Sequence, residues 1–186
     1  MLTLINSVTK EPIGIKISHF PAGETHLKVD EYFLNGGDHV LGIVLKYESN
    51  DDLWNLALLV NALRANACAR VIETPWIGLS MRYVPYARQD RICNPGESLS
   101  IRVLADFINS LGFDMVRILD PHSDVCGALI DNVSIQDITD TITNIYYKYG
   151  DMELVAPDTG SNKKVYKLSQ HLAKRTFLRA DKERDT

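Results

Sequence analysis

The chain has 186 residues, of which 45% are hydrophobic and 24% charged, and its formal net charge is −4. This is a globular balance able to bury a sizeable core, at a length that fits one domain or one domain with part of another. The slightly acidic total argues against binding to nucleic acid or to an anionic membrane surface, so any phosphate recognition falls to local groups and metal.

Three cysteines (Cys68, Cys93 and Cys126), odd in number and without CxxC spacing, form neither a disulfide framework nor a zinc site. No basic-then-apolar leader follows Met1, and no apolar run approaches the roughly 20 residues of a membrane span. The expectation is a soluble, cytoplasmic protein.

The first 30 residues read as short strands around a turn. His39 to Lys46 (HVLGIVLK) predicts a buried strand, and Asp51 to Ala67 a helix with Leu53, Leu56, Ala57, Val60 and Leu63 on one face, capped by Asn50 or Asp51. Arg70 to Trp76 predicts a second strand. Ser98 to Leu111 predicts a helix, opened by a hydroxyl, apolar at Ile101, Leu104, Ala105 and Ile108, and followed by Gly112. Met115 to Asp120 predicts a strand, Ser134 to Ile138 a weaker one, and Thr139 to Tyr149 an aromatic-rich helix. Glu153 to Ala156, a helix from Gly160 to Ala173 and a strand from Thr176 to Ala180 complete the series. The alternation predicts an α/β fold with a largely parallel sheet flanked by helices. The charged run 181–186 directly after a strand reads as a truncation point.

Ligands of open α/β sheets bind at the carboxyl ends of the strands. Two strands end there in polar groups, Asp120-Pro121-His122-Ser123-Asp124 and Pro157-Asp158-Thr159-Gly160-Ser161. Asp120, His122 and Asp158 together suit a magnesium site completed by phosphate oxygens and water, and an acid after a strand equally suits a helix cap. Tyr83 to Arg91 (YVPYARQDR) brings two guanidinium groups, an amide and a carboxylate beside two tyrosines; arginines three apart can grip a polyphosphate. A solvated surface loop is the plain reading of the same residues. Phe20 to Glu24 (FPAGE) reads as a tight turn, or as an aromatic platform with an acceptor beside it. The tyrosines are stacking surfaces or partly buried anchors, and Trp54 and Trp76 are core or interface residues. Cys93 and Cys126 fall near the proposed site without a role. His19, His26, His39 and His171 show no ligand spacing.

In this order, FPAGE, NALR (Asn61 to Arg64), YARQDR (Tyr86 to Arg91), LADFINSLGFD (Leu104 to Asp114), DPHS (Asp120 to Ser123), APDTG (Ala156 to Gly160) and ADKER (Ala180 to Arg184) resemble the ribose-phosphate pyrophosphokinases over nearly the whole chain. The resemblance implies a type I phosphoribosyltransferase-like α/β fold, with an N-terminal domain over 1–150 and the start of a second domain over 151–186. It implies transfer of the β,γ-diphosphate of Mg-ATP to the anomeric hydroxyl of ribose 5-phosphate, giving PRPP and AMP. Phe20 and Glu24 would bind the adenine and ribose of ATP across a subunit boundary, and Arg88, Gln89 and Asp90, with Arg91 close by, would contact ATP and its phosphates. His122 and Asp158 would serve the magnesium site, with Asp120 behind them. Lys182 and Arg184 match the basic pair of a flexible catalytic loop. The family assembles as dimers building to hexamers.

Three departures accompany the resemblance. Residues around PWIGLSMR, between Arg70 and Tyr86, are extra relative to the common bacterial form, and Ser161 stands where a second glycine is usual. The acidic-to-GT stretch that holds the acceptor's 5-phosphate in this family does not occur in these residues, so the 186-residue chain alone is expected to be inactive. Two alternatives follow: a related pyrophosphokinase using a larger acceptor such as ADP-ribose, and a catalytically silent subunit that regulates active partners. Retention of Arg88, Gln89, His122, Asp158 and Lys182 counts against the silent subunit.

Overall fold

The computed structural model describes residues 1–30, 40–69, 74–150, 152–173 and 176–180. Packing divides the chain into two compact units, Met1–Gln136 and Asp137–Thr186. The sequence boundary at 150 falls after this division, because helix α4 (Thr139–Tyr149) sends Ile142 and Tyr146 against Leu154, Leu168 and Leu172 of the second unit.

The first unit is built on a six-stranded sheet in the order β2-β1-β5-β6-β7-β8. Its strands are β1 (Leu2–Asn6), β2 (Pro12–Ile13), β5 (Val40–Leu45), β6 (Trp76–Met81), β7 (Met115–Leu119) and β8 (Val133–Gln136). β5 through β8 pair in parallel, while β1 runs antiparallel to β5 and β2 antiparallel to β1. The largely parallel α/β expectation therefore holds. β3 (Ile15–His19) and β4 (Thr25–Val29) form a separate antiparallel hairpin.

Register explains the core. Leu4, Ile43 and Leu79 stand side by side across three strands, as do Leu45, Met81 and Ile118, and all are at most 1% exposed. α1 (Asn50–Ala69) adds Leu56, Leu59, Val60 and Leu63 to this cluster, and α2 (Ser100–Ser110) adds Ile101, Leu104, Ala105 and Ile108. Each fully buried Leu or Ile contributes about 1.5–3 kcal/mol of transfer free energy. α3 (Val125–Leu129) follows β7 and buries Cys126.

Several expectations change in detail. The second strand lies at Trp76–Met81, not Arg70 to Trp76; residues 70–73 lie outside the described set, and 74–75 are not strand. The residues read as extra around PWIGLSMR thus form a central strand of the sheet, where pairing on both sides overrides the weak strand preference of Gly78 and Ser80. The Ser98 hydroxyl bonds Ser100 Oγ at 2.7 Å, and no side chain caps α2. Trp54 and Trp76 are 60% and 38% exposed, which removes the core reading of both. Gly112 has φ +60° as a left-handed residue past a helix should.

The second unit contains α4, β9 (Val155–Ala156), a 3-10 turn over Thr159–Ser161, α5 (Asn162–His171) and β10 (Leu178–Arg179). β9 and β10 pair in parallel. No helix among the described residues is long and apolar enough to cross a membrane.

Candidate functional site

Parallel pairing places the carboxyl ends of β5, β6 and β7 along one edge of the sheet, so the loops that leave them lie on the same side. These loops carry Lys46 to Ser49, Arg82 to Leu99 and Asp120 to Asp124. Two polar motifs of the first unit, YARQDR and DPHS, are therefore neighbours by topology.

The loop after β6 is anchored by apolar side chains and presents polar ones. Val84 and Ala87 are buried, at 4% and 5% exposure, whereas Arg88, Gln89 and Arg91 are exposed. Tyr86 takes the left-handed conformation, φ +62°, an uncommon one for a bulky residue. Its hydroxyl donates to Asn50 Oδ1 at 2.5 Å, and the Tyr47 hydroxyl donates to the same oxygen at 2.8 Å. The Tyr47 ring meets Tyr86 edge-on, with centroids 6.5 Å apart, and Tyr83 at 6.3 Å. The neighbouring Tyr86 hydroxyl, followed by partial burial, raises the Tyr47 phenol above its ordinary pKa. Tyr86 is thus an anchor, while Tyr83 stays 58% exposed.

Asp90 turns inward. Its side chain is only 10% exposed, and Arg91 Nε donates to its Oδ1 at 3.1 Å. The Ser123 hydroxyl, then Arg91, hold the Asp90 carboxyl below its usual range, against burial, and nearby His122 pulls the same way. Ser123 Oγ is buried without a hydrogen bond of full geometry, so its approach to Asp90 is a close polar contact short of a completed bond. Burial, with Asp90 nearby, pushes the Cys126 thiol up. Asp90 accordingly links the YARQDR loop to the DPHS loop.

On the DPHS loop, Asp120 closes β7 with φ +42° and donates its amide to the Gln136 carbonyl at 2.9 Å. His122 is exposed and Asp120 half-buried. In the second unit, Asp158 accepts from the Ser161 amide at 2.9 Å through Oδ1, and the Asp158 amide donates in turn to Ser161 Oγ at 3.3 Å. Asp158 therefore takes the capping role foreseen as its alternative, and Ser161 completes the reciprocal box that a glycine there would lack.

Among the described residues, no three His, Cys, Asp or Glu side chains gather as a metal cluster. The donor types still suit magnesium brought in with a nucleotide: that ion takes one or two protein carboxylates and fills its remaining positions with phosphate oxygens and water. The Asp158 cap uses Oδ1 and is compatible with an oxygen ligand at the same carboxylate.

Phe20 and Glu24 sit at the tip of the β3–β4 hairpin. The Phe20 amide donates to the Glu24 carbonyl at 2.9 Å, and Gly23, with φ +97°, closes the turn. Phe20 is 55% exposed, its ring 5.6 Å from that of His26. Lys182 and Arg184 lie outside the described residues. Sequence reasoning passed over Tyr47 and took Asn50 only as a helix cap; the signal that could have found them is their place directly after a parallel strand.

Comparison with known proteins gives a consistent picture. Ribose-phosphate pyrophosphokinase of Sulfurisphaera tokodaii is 25% identical over 177 residues, covering 92% of this chain and 58% of the relative. That of Agrobacterium fabrum is 26% identical over 166 residues, covering 87% and 51%. The chain thus spans about half the length of the curated relatives it matches. Phosphoribosylpyrophosphate synthetase from Mycobacterium smegmatis shares the fold with a TM-score of 0.76 at 23% identity, over 96% of this chain and 59% of that one. The family model described as the N-terminal domain of ribose phosphate pyrophosphokinase matches residues 3–112, a span that takes in the hairpin, the Tyr86–Arg91 loop and helix α2, and the chain belongs to that family.

Proposed function

We propose that this chain carries the ATP-binding part of a ribose-phosphate diphosphokinase, acting on ribose 5-phosphate to give PRPP and AMP. The observation that carries the reading is that the exposed Arg88–Gln89 pair and the His122 loop leave neighbouring strands β6 and β7 at the same carboxyl edge of a parallel sheet. In this reading Arg88, Gln89, Asp90 and Arg91 contact ATP and its phosphates. His122 and Asp120 from the first unit and Asp158 from the second would each serve the magnesium that ATP carries, and Phe20 and Glu24 would present the hairpin tip to the adenosine of a neighbouring subunit's ATP. Magnesium bound with ATP neutralises charge on the phosphoryl oxygens.

The acceptor's anomeric oxygen bonds to the β-phosphorus as the bond from that phosphorus to the oxygen bridging the α-phosphorus breaks. AMP leaves with the bridging oxygen, and the hydroxyl proton is released. Charge spreads over the phosphoryl oxygens during this step, so the chain's task is to position and to offer fixed cations. Arg88 and Arg91 provide these in the first unit, and in this reading Lys182 and Arg184 add two further positive charges for the phosphoryl oxygens.

The test is AMP release by the full-length protein from Mg-ATP with and without ribose 5-phosphate. Acceptor-dependent AMP release is expected; its absence with every ribose phosphate offered overturns the reading. If ADP-ribose is consumed and ribose 5-phosphate is not, the acceptor assignment is wrong and the larger-acceptor enzyme replaces it.

A further inference from the structure

The loop bearing Arg88 and Gln89 reaches its conformation at a cost. A left-handed backbone is disfavoured for a bulky residue such as tyrosine, and it persists only where the surroundings over-determine it. Tyr86 has two such constraints, and both come from the neighbouring β5–α1 segment. Its hydroxyl is tied to Asn50 Oδ1 at 2.5 Å, and its ring packs edge-on against Tyr47. That segment is itself held, since Asp52, 9% exposed, accepts the amides of Glu48 and Ser49 at 2.8 and 3.1 Å. Downstream, the Gln89 amide donates to the Tyr86 carbonyl at 2.9 Å, which passes the orientation of Tyr86 directly into the residues that follow.

We propose that Asn50 is a positioning residue for nucleotide binding: through the Tyr86 hydroxyl it fixes the left-handed turn that aims Arg88 and Gln89 outward. Asn50 touches no substrate in this scheme; it acts through Tyr86. The proposal rests on the reading of Arg88 and Gln89 as ATP contacts, and its test separates the two.

Tyr47 offers an internal control, because it donates to the same Asn50 oxygen but is not part of the Arg88 loop. Tyr86→Phe and Tyr47→Phe each delete one hydroxyl, keep the ring and remove one bond to one acceptor. In the full-length protein, Tyr86→Phe is expected to weaken Mg-ATP binding about 2- to 10-fold, the scale of one modest hydrogen bond. Tyr47→Phe is expected to leave affinity within about twofold of wild type while shifting Tm as much as Tyr86→Phe. Asn50→Ala should follow Tyr86→Phe. Equal affinities in the two phenylalanine variants, with wild-type binding intact, overturn the proposal.

Hydrogen exchange reads the anchor without nucleotide. Tyr86→Phe should speed exchange of the Gln89 amide relative to both wild type and Tyr47→Phe. Unchanged exchange there sinks the anchoring claim even if ATP binding is altered. Faster exchange in Tyr86→Phe, found together with a wild-type protein that binds no Mg-ATP, upholds the anchor and sinks the nucleotide assignment instead.

Discussion

Asp137 gathers three donors: the Thr139 amide at 2.8 Å, the Thr139 hydroxyl at 2.6 Å and the Lys167 ammonium. Lys167 first, and then Thr139, drive its carboxyl far below the ordinary range, with burial opposing weakly. A folded pKa lowered in this way adds stability above the unfolded carboxylate value of about 4, and the contribution disappears as pH falls toward the folded one. Both side chains are largely solvent-exposed, which tempers the size of the effect. Asp137→Ala should therefore lower Tm at pH 7, with a deficit that shrinks progressively as pH falls from about 5 toward 2, as followed by thermal melts; a deficit unchanged across that range would contradict the linkage. At Asp158, Ser161→Gly removes the hydroxyl that bonds the Asp158 carbonyl at 2.7 Å and keeps the amide that caps the carboxylate. A loss of about 0.5–1.5 kcal/mol in denaturant titration is expected. Residue chemistry was partly legible in advance. Asp158 carried two readings because an acid after a strand satisfies both, and only backbone geometry separates them. The approach of Asp90 to the Ser123 loop was not legible, because strand pairing alone brings the two segments to the same edge of the sheet.

Gly112 ends the α2 segment in the left-handed region, and its carbonyl accepts from an Arg64 guanidinium nitrogen at 2.7 Å. A methyl at Gly112 would meet that guanidinium at 3.3 Å and occupy a backbone region costly to any residue with a Cβ. Gly112→Ala should destabilise by about 1–2 kcal/mol in a urea titration, and Arg64→Ala should also destabilise by loosening the same junction. The helix was legible because its apolar spacing predicts Ile101, Leu104, Ala105 and Ile108, the same four residues that are buried. α4 was legible to its ends, Thr139 and Tyr149. β6 was not. Arg70 to Ile72 has the β-branched look of a strand, whereas Trp76 to Met81 includes a glycine and a serine that only partners on both sides make strand-like. The β3–β4 hairpin was visible only as short strands around a turn, since its partner strand is local and its outer face open.

The two units differ in how much apolar surface they enclose. Among the described residues, the first buries a continuous cluster from Leu4 to Ile130, while the second buries Leu154, Leu168 and Leu172 with four partly buried neighbours. Local stability follows such burial, so amides of α4 and α5 should exchange faster than those of β5, β6 and β7 by orders of magnitude. Uniform exchange across both would mean that the chain unfolds as one cooperative body. The parallel α/β class was legible at this scale because alternation of apolar runs and helical spacing needs no residue-level accuracy; the division after Gln136 was not, because no linker composition marks it. Trp76 adds a practical consequence. Its ring lies across Gly78, so close that a Cβ there would stand 2.9 Å from it, and both tryptophans of the chain belong to the first unit. Emission excited at the indole band therefore arises from the first unit alone. A Trp54→Phe chain becomes a single-emitter reporter placed in the middle of the sheet, and its spectral shift marks the moment at which β6 parts from its neighbours.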